Sequence, residues 1–431
     1  MLCIFACLYL VFLLFTEAAR GERLPCLIRF ALSSLLAGGM AAVLLLPAWL
    51  ALRVSSAADY AARPGMKLYA SLVEVLRAHA FDAEAFHISY ERGAVQLYCG
   101  VLVLPLAAMY FLNPGIDKKR RLGMAVLTGF LLLGFQFSPI NYAWHGFHME
   151  SGLPNRFAFL YLMLLMLQAH AALCRLSELG LRRFLVGMTA ALLCTAGYAV
   201  YEASALHSFT LFVTLGLLLL YAPILYALVM LPGFRARVSL LLCALLIGET
   251  ALHSRQELLR IGSGTRDFYI NYQRDTQALS DTAGKHGFSR GEIDSESIVN
   301  FSTYAGLNGL ALFNSGIQAE VQDFFNNMHV YTHLNTVRYR GVSKLLKDML
   351  GQRWLISGQL DADSLNGLVK IRRQNGKTMY ENREALSVGF LVSPEIVNWN
   401  PAEGSGMDAE NSFVRLACGF PELFRQSEYL L

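Results

Sequence analysis

The stretch from Asn141 to Arg156 concentrates side chains that could do chemistry between two apolar runs. Its sixteen residues include two histidines, a glutamate, an arginine, two asparagines and a tryptophan. Arginine presents a planar fork of donors that suits a phosphate or pyrophosphate group, and histidine can support it. The stretch therefore predicts a phosphate-binding site that is formed by His145, His148, Asn155 and Arg156.

Within the same stretch, Glu150 could serve as a general base or a metal ligand. The alternative for the whole stretch is that its aromatic and histidine side chains anchor helix ends at the lipid headgroups. Anchoring explains Trp144 and Tyr142, but it does not call for histidines, a glutamate and an arginine together. The combination of these side chains favours a ligand-binding site over membrane anchoring.

A second polar cluster lies earlier in the chain and contains Asp82, Glu84, His87, Glu91 and Arg92. It could complete a polar face opposite the first stretch. Acids in loops are more often solvated than catalytic, so each one alone is a weak candidate. Asp82 and Glu91 join Glu150 as the predicted carboxylates.

The composition is that of a membrane protein. Of 431 residues, 55% are hydrophobic and 16% are charged, whereas soluble domains carry about 25% charged residues. The net charge of +4 is too small to suggest a nucleic-acid partner. Eight cysteines are present without a C-x-x-C pair, so the sequence supports neither a zinc site nor a disulfide framework.

Apolar runs predict about eight transmembrane helices, since a spanning helix needs about 20 apolar residues. The runs cover residues 2–16, 27–50, 94–112, 122–140, 157–175, 184–203, 208–231 and 238–253. We interpret the first as a membrane helix rather than a signal peptide, because no side-chain positive charge precedes it. Clusters of Arg and Lys occupy alternate connections, which places those connections in the cytoplasm. Loops 53–93 and 141–156, and everything after residue 253, then face outward.

The predicted fold is a polytopic α-helical membrane domain over residues 1–253, followed by an α+β extracytoplasmic domain over residues 254–431. In the second domain, Asn375-Gly376 is the dipeptide of a type I′ turn and predicts a hairpin over 369–380. Residues 354–356 and 388–392 are typical of strands, and 342–350 of a helix. The charged stretch 257–280 is expected to start as a helical extension. The protein is expected in the cytoplasmic membrane with its C-terminal domain outside.

Three of the polar residues inside the apolar runs have an interpretable role. Glu249 is in the last run, where a carboxylate is costly and usually has a partner. The competing interpretation is that it reaches the nearby surface by snorkelling. Gln168 and His170 are expected to make hydrogen bonds between helices.

Several segments resemble the bacterial YfhO-type membrane protein family. They are Asn141-Tyr-Ala-Trp-His-Gly-Phe, Leu153-Pro-Asn-Arg-Phe157, Gln96-Leu-Tyr-Cys-Gly100, Leu350-Gly-Gln-Arg-Trp-Leu-Ile356 and Tyr380-Glu-Asn-Arg-Glu-Ala-Leu-Ser-Val-Gly-Phe390. The resemblance implies a fold like that of the GT-C glycosyltransferases, a polyprenyl-phosphate-linked sugar as donor, and lipoteichoic acid or another envelope glycopolymer as acceptor. It also implies a longer protein, whose N-terminal half carries an aspartate-bearing outer loop with the presumed catalytic residue.

Two main functions remain open from the sequence; a transporter ranks third, because the spans hold few ionisable residues away from their ends and the outer domain is large. In the first, the chain is part of a glycosyltransferase, completed by a separately encoded N-terminal half. Arg156, His145 and His148 would then stabilise the departing phosphate, and a carboxylate would deprotonate the acceptor. In the second, it is a non-catalytic split subunit or a scaffold for envelope assembly. The use of a divalent metal stays open in both.

Overall fold

The computed structural model describes residues 1–55, 65–81, 97–148, 155–201, 208–261, 265–283, 288–294, 299–333, 335–358, 367–402, 404 and 406–424. The chain forms two compact units. One contains Met1–Ala42 and Tyr60–Ser263, and the other contains Val43–Asp59 and Gly264–Leu431.

The first unit is helical. Its helices are α1 (Leu2–Thr16), α2 (Arg23–Arg53, which continues into the second unit), α3 (Leu72–Arg77), α4 (Val103–Leu112), α5 (Lys118–Gln136), α6 (Ser138–Trp144), α7 (Ala158–Cys174), α8 (Leu181–Tyr201), α9 (Ser208–Met230) and α10 (Arg235–Ile261). Helix α4 packs against α7 and α8, α5 packs against α1, α6 and α7, and α9 packs against α8 and α10.

The transmembrane prediction is supported in part. Among the described residues, three helical segments are long and apolar enough to cross a membrane: Arg20–Arg53, Thr210–Met230 and Pro232–Leu259. Helices α1, α4 and α7 are apolar but shorter. Each predicted run overlaps a helix, yet a total of about eight crossings stays a prediction.

The core of the helical unit is aromatic and tightly packed. Phe135, Trp144 and Phe157 are all at most 1% exposed. They meet above Gly134 of α5, where a Cβ atom would lie 2.7 Å from Trp144 Cδ1 and 2.9 Å from Phe157 Cζ. A glycine is therefore required at this close approach.

Of the two residues predicted to make hydrogen bonds between helices, Gln168 and His170, the structure confirms the first. Gln168 of α7 donates from Nε2 to Oγ1 of Thr128 on α5 at 2.6 Å, which confirms the predicted bond between helices. For His170 the prediction is wrong, since its side chain is exposed and contacts Cys174 of the same helix. His170 lies on the face of α7 that turns away from the core.

The second unit combines helices with two small sheets. Its helices are α11 (Arg266–Ala283), α12 (Phe301–Tyr304), α13 (Ala319–Asn327), α14 (Lys344–Met349) and α15 (Gly406–Cys418). Its strands are β1 (Arg290–Ile293), β2 (Leu312–Phe313), β3 (Thr332–His333), β4 (Thr336–Val337), β5 (Gln352–Ser357), β6 (Leu368–Gln374) and β7 (Lys377–Asn382). One sheet has the order β1-β5-β7-β6, with β1 parallel to β5 and the other pairs antiparallel; the second is antiparallel with the order β2-β4-β3.

Most elements predicted for this unit are present. The β6–β7 hairpin turns at Asn375 and Gly376, both with positive φ, as a type I′ turn requires. Strand β5 and helix α14 confirm two further predictions. The helical extension predicted from residue 257 is also present, since α10 continues to Ile261. The strand predicted over 388–392 is wrong, because that segment forms no ladder and Leu391 is fully exposed.

Candidate functional site

The chain leaves α6 at Trp144 and turns sharply through Gly146 and Phe147, both with positive φ. His145 is half-buried, with Nδ1 2.9 Å from the carbonyl oxygen of Asn141 and its ring edge-on to Phe157. His148 is exposed. The two predicted histidines thus have different environments: His145 is packed, and His148 faces solvent.

Asn141 holds the two ends of the 141–156 loop together. Its side chain is fully buried, and Nδ2 donates to the carbonyl oxygen of Gly134 at 3.0 Å and to Oδ1 of Asn155 at 2.6 Å. Asn155 is itself 4% exposed and has a φ of 63°. This contact fixes Asn155 against α6, while the next residue, Arg156, is exposed.

The predicted carboxylates Glu150, Asp82 and Glu91 lie outside the described residues, as do Glu84, His87 and Arg92. Their roles stay predictions. Within the described ranges, no three His, Cys, Asp or Glu side chains come close enough together to hold a metal ion.

The described start of the 53–93 loop is fixed against the beginning of α6. Ser138 is fully buried, and its Oγ donates to the carbonyl oxygen of Gly65 at 2.6 Å and accepts from the Lys67 amide at 2.9 Å. The Tyr69 amide donates to the carbonyl oxygen of Gln136 at 2.8 Å. Residues 65–69 are therefore held against the end of α5 and the start of α6, shortly before the 141–156 loop.

This segment continues through α3, whose first turn is closed by a capping box between Ser71 and Glu74, and reaches His79. His79 is 6% exposed, and its Nδ1–H donates to the carbonyl oxygen of Val75 at 2.8 Å. Burial lowers the pKa of His79 to about 4, so the ring is neutral near pH 7. The ring packs edge-on against Tyr161.

Tyr161 continues a path of aromatic rings towards the 141–156 loop. It packs edge-on against Phe135 at 5.5 Å between ring centroids, and Phe135 stacks on Phe157 at 4.9 Å. Phe157 contacts His145. The aromatic path, defined as His79, Tyr161, Phe135, Phe157 and His145, joins the two loops through the core.

A buried carboxylate lies on the other side of the 65–81 segment. Glu249 of α10 is 3% exposed and accepts hydrogen bonds from the hydroxyls of Tyr98 and Tyr221, and from the Val101 amide at 2.7 Å. His253, one turn later, stacks on Tyr98 with 3.9 Å between ring centroids. The snorkelling interpretation is wrong for Glu249, because its charge is satisfied by donors inside the protein.

Phe81 connects this group to the 65–81 segment. Its ring packs edge-on against both Tyr98 and His253, and its amide donates to Oγ1 of Thr214 on α9 at 3.1 Å. The Glu249 cluster, defined as Tyr98, Val101, Tyr221, Glu249 and His253, therefore adjoins the end of the 65–81 segment.

A cavity of about 200 Å³ opens beside the same segment. Its walls are mostly apolar and come from the 65–81 segment, α4, α8 and α9; they include Leu76, Leu104, Ala191 and Leu218. His79 and the cavity match no sequence motif. The one sequence signal near them is the apolar spacing of residues 68–76, which predicts an amphipathic helix.

Comparison with known proteins adds one match. No curated protein and no solved structure matches the chain. A family model matches almost its whole length, including the Asn141–Arg156 loop, the α4 entry and the β5–β7 region. The chain belongs to the family described as bacterial membrane protein YfhO, whose model matches residues 1–428.

Proposed function

We propose that the chain is part of a membrane glycosyltransferase that moves a sugar from a polyprenyl-phosphate donor to an extracytoplasmic acceptor, such as lipoteichoic acid or another envelope glycopolymer. Membership of the YfhO family supports a glycosyltransferase-like role at the membrane. The donor, the acceptor, the outward orientation of the loops and the need for a separately encoded N-terminal half are all part of the proposal.

The observation that carries the proposal is the course of residues 65–81. At one end this segment pairs with Gln136 and Ser138, directly before the loop that bears His148 and Arg156. At the other end it lines the apolar cavity with Leu76 and His79. One ordered segment thus runs from the residues that precede the loop of His148 and Arg156 to an apolar recess, an arrangement that suits an amphiphile with a phosphate head and an isoprenoid tail.

Each part of the donor finds suitable chemistry. The mostly apolar cavity suits the isoprene units next to the phosphate, since burying apolar surface gives roughly 25 cal/mol per Å². The Arg156 guanidinium offers a fork of donors to phosphate oxygens. His148 is exposed on the same loop and can add a further donor.

The proposed sugar transfer needs no external reductant or oxidant. The acceptor hydroxyl oxygen forms a bond to the anomeric carbon of the sugar, the bond from that carbon to the phosphate oxygen breaks, and its electron pair leaves with the phosphate. A carboxylate takes the hydroxyl proton; Glu150, Asp82 and Glu91 are the proposed bases in this chain. Arg156, His145 and His148 would stabilise the charge that develops on the phosphate.

Sugar incorporation into envelope polymer tests the proposal in cells that carry the protein and its upstream reading frame. We expect an Arg156→Ala/His145→Ala double variant to lose roughly 100-fold or more of the incorporation, as removal of a transition-state donor does in other enzymes. Arg235→Ala/His170→Ala is the matched control, since both residues are exposed outside the two loops. If the Arg156→Ala/His145→Ala double variant incorporates sugar at the wild-type level, the site assignment is overturned.

A binding experiment distinguishes the transferase hypothesis from the scaffold hypothesis. The purified protein in nanodiscs should bind a radiolabelled polyprenyl-phosphate sugar, and Arg156→Ala should weaken that binding. If the wild-type protein does not bind the polyprenyl-phosphate sugar, the donor site is rejected and the scaffold function is favoured.

A further inference from the structure

A polar cleft in the second unit lies at the end of α13, well removed in sequence from the loops discussed above. Its volume is about 540 Å³, and it is open to solvent. The turn after α13 and strand β3 form its walls together with Pro401, Ala402 and Gly404. Its polar lining consists of Asn326, Asn327, His329, Tyr331 and Thr332.

These polar groups indicate a neutral ligand. Two side-chain amides, an imidazole and two hydroxyls can each both donate and accept hydrogen bonds. None of the described lining residues is a lysine, arginine, aspartate or glutamate. An anion would call for charged donors, whereas the hydroxyls of a sugar need donors and acceptors together.

Tyr331 supplies an apolar platform among these groups. Its side chain is 48% exposed. Its backbone is held on both sides, since its amide donates to the Arg340 carbonyl at 3.0 Å and its carbonyl accepts from the Arg338 amide at 2.9 Å. A rigidly held tyrosine offers a large contact face at a low entropy cost, and the C–H face of a sugar ring packs against such a surface.

The wall of the cleft is shaped before a ligand arrives. His329 has a φ of 57°, a left-handed conformation that histidine adopts only rarely. Two glycines make room for it: a Cβ on Gly341 would lie 2.5 Å from the His329 carbonyl oxygen, and a Cβ on Gly406 would lie 3.0 Å from its ring. Preorganisation of this kind lowers the entropy cost of binding.

We infer that the cleft beside Tyr331 binds a neutral glycan. A volume of about 540 Å³ lies in the usual range for small-ligand sites and accommodates roughly two sugar rings. The inference goes beyond the transferase proposal, because the site lies in the other unit and requires no sugar transfer. If the transferase proposal holds, the cleft would hold part of the acceptor glycan.

Saturation-transfer difference NMR on the full chain in nanodiscs tests the inference. Nanodiscs are needed because detergents with sugar headgroups would compete for the cleft. The probes are cellobiose and N,N′-diacetylchitobiose, with glycerol 3-phosphate as the anionic comparison. We expect at least one disaccharide to bind saturably and glycerol 3-phosphate not to bind.

Variants of Tyr331 provide the controls. Tyr331→Ala should weaken disaccharide binding roughly tenfold, and Tyr331→Phe, which keeps the ring, should retain most of it. Tyr304→Ala is the matched control, because Tyr304 is 49% exposed in the same unit and does not line the cleft. Unchanged unfolding temperatures would show that the variants are folded.

Three results would overturn the inference: no disaccharide bound by the wild-type protein, equal binding by Tyr331→Ala, or preferential binding of glycerol 3-phosphate. Binding of the polyprenyl-phosphate sugar should not change in the Tyr331 variants. Failure of the glycan site and failure of the transferase proposal are therefore distinguishable.

Discussion

Replacing Glu249 by alanine should destabilise the helical unit substantially. The change leaves three donors without their acceptor: the hydroxyls of Tyr98 and Tyr221 and the amide of Val101. Interhelical hydrogen bonds in membrane proteins are worth about 0.6 kcal/mol on average, whereas a buried donor left unsatisfied costs about 1–3 kcal/mol. Three such groups give an expected loss of about 2 kcal/mol on the first figure and of about 3–9 kcal/mol on the second.

Glutamine separates the loss of the acceptor from the loss of charge. Its amide oxygen can still accept from Tyr98 and Val101, which both donate to the same Glu249 oxygen. The amide nitrogen would then face Tyr221, whose hydroxyl can turn to accept. We therefore expect Glu249→Gln to cost about 1 kcal/mol, the scale of one hydrogen bond.

Equilibrium unfolding of the purified chain with SDS in mixed micelles, followed by tryptophan fluorescence, measures these losses. Thr250→Ala is the control, because Thr250 is the next residue on α10 and is exposed; its effect should be close to zero. The reasoning fails if Glu249→Ala unfolds like the wild-type protein. It also fails if glutamine and alanine cost the same, since the retained acceptor would then contribute nothing.

Two further predictions concern packing and pH. Gly134→Ala should cost about 1–3 kcal/mol, because its Cβ would overlap Trp144, while Gly129→Ala on the same helix, with open space around it, should be neutral or stabilising by up to about 1 kcal/mol in the same unfolding assay. Hydrogen bonds from Arg353 hold the pKa of Glu381 below its usual value. The stability that this pair contributes is present above the unfolded pKa of about 4.5 and is lost as the pH falls through the folded value. Unfolding curves between pH 3 and pH 6 should therefore show a smaller loss for Glu381→Gln than for the wild-type protein, and an unchanged loss would contradict the assignment.

The sequence identified the helical runs because apolar length is a local property. Prediction from the sequence failed at helix ends whose position is set by tertiary contacts. In the run predicted to begin at residue 94, the described residues start at 97 and the helix starts at Val103. Before that point Gly100 has a φ of 108° and the Val101 amide donates to Glu249, almost 150 residues away. Hydropathy cannot reveal a partner so distant in the chain.

Prediction of the second unit from the sequence had the same limit. The Asn375-Gly376 turn was predictable because its φ angles follow from local chemistry. The segment 388–392 has a strand-like composition, but a strand also needs a neighbour, and Leu391 and Val388 are exposed without a ladder. Pairing depends on the fold around a segment and is not written in the segment itself.

For the candidate site, the sequence located the groups that could bind and missed what holds them. His148 and Arg156 are exposed on the predicted loop. Their support comes from Asn141, Ser138 and the 65–81 segment, and these contacts join residues up to 73 positions apart. Glu249 was ambiguous because a sequence indicates depth along a helix but not the neighbours at that depth.

The contact between Glu249 and Val101 also has an electrostatic consequence. Val101 lies two residues before Val103, the first residue of α4. The aligned peptide dipoles of a helix place a partial positive charge at its N-terminal end. A carboxylate at that end is stabilised by the dipole as well as by its hydrogen bonds, typically by 0.3–1 kcal/mol and by up to about 2 kcal/mol when partly buried. Glu249 of α10 thus acts as a counter-charge for the start of α4, and the bundle holds a buried negative charge by opposing it with the backbone of a neighbouring helix.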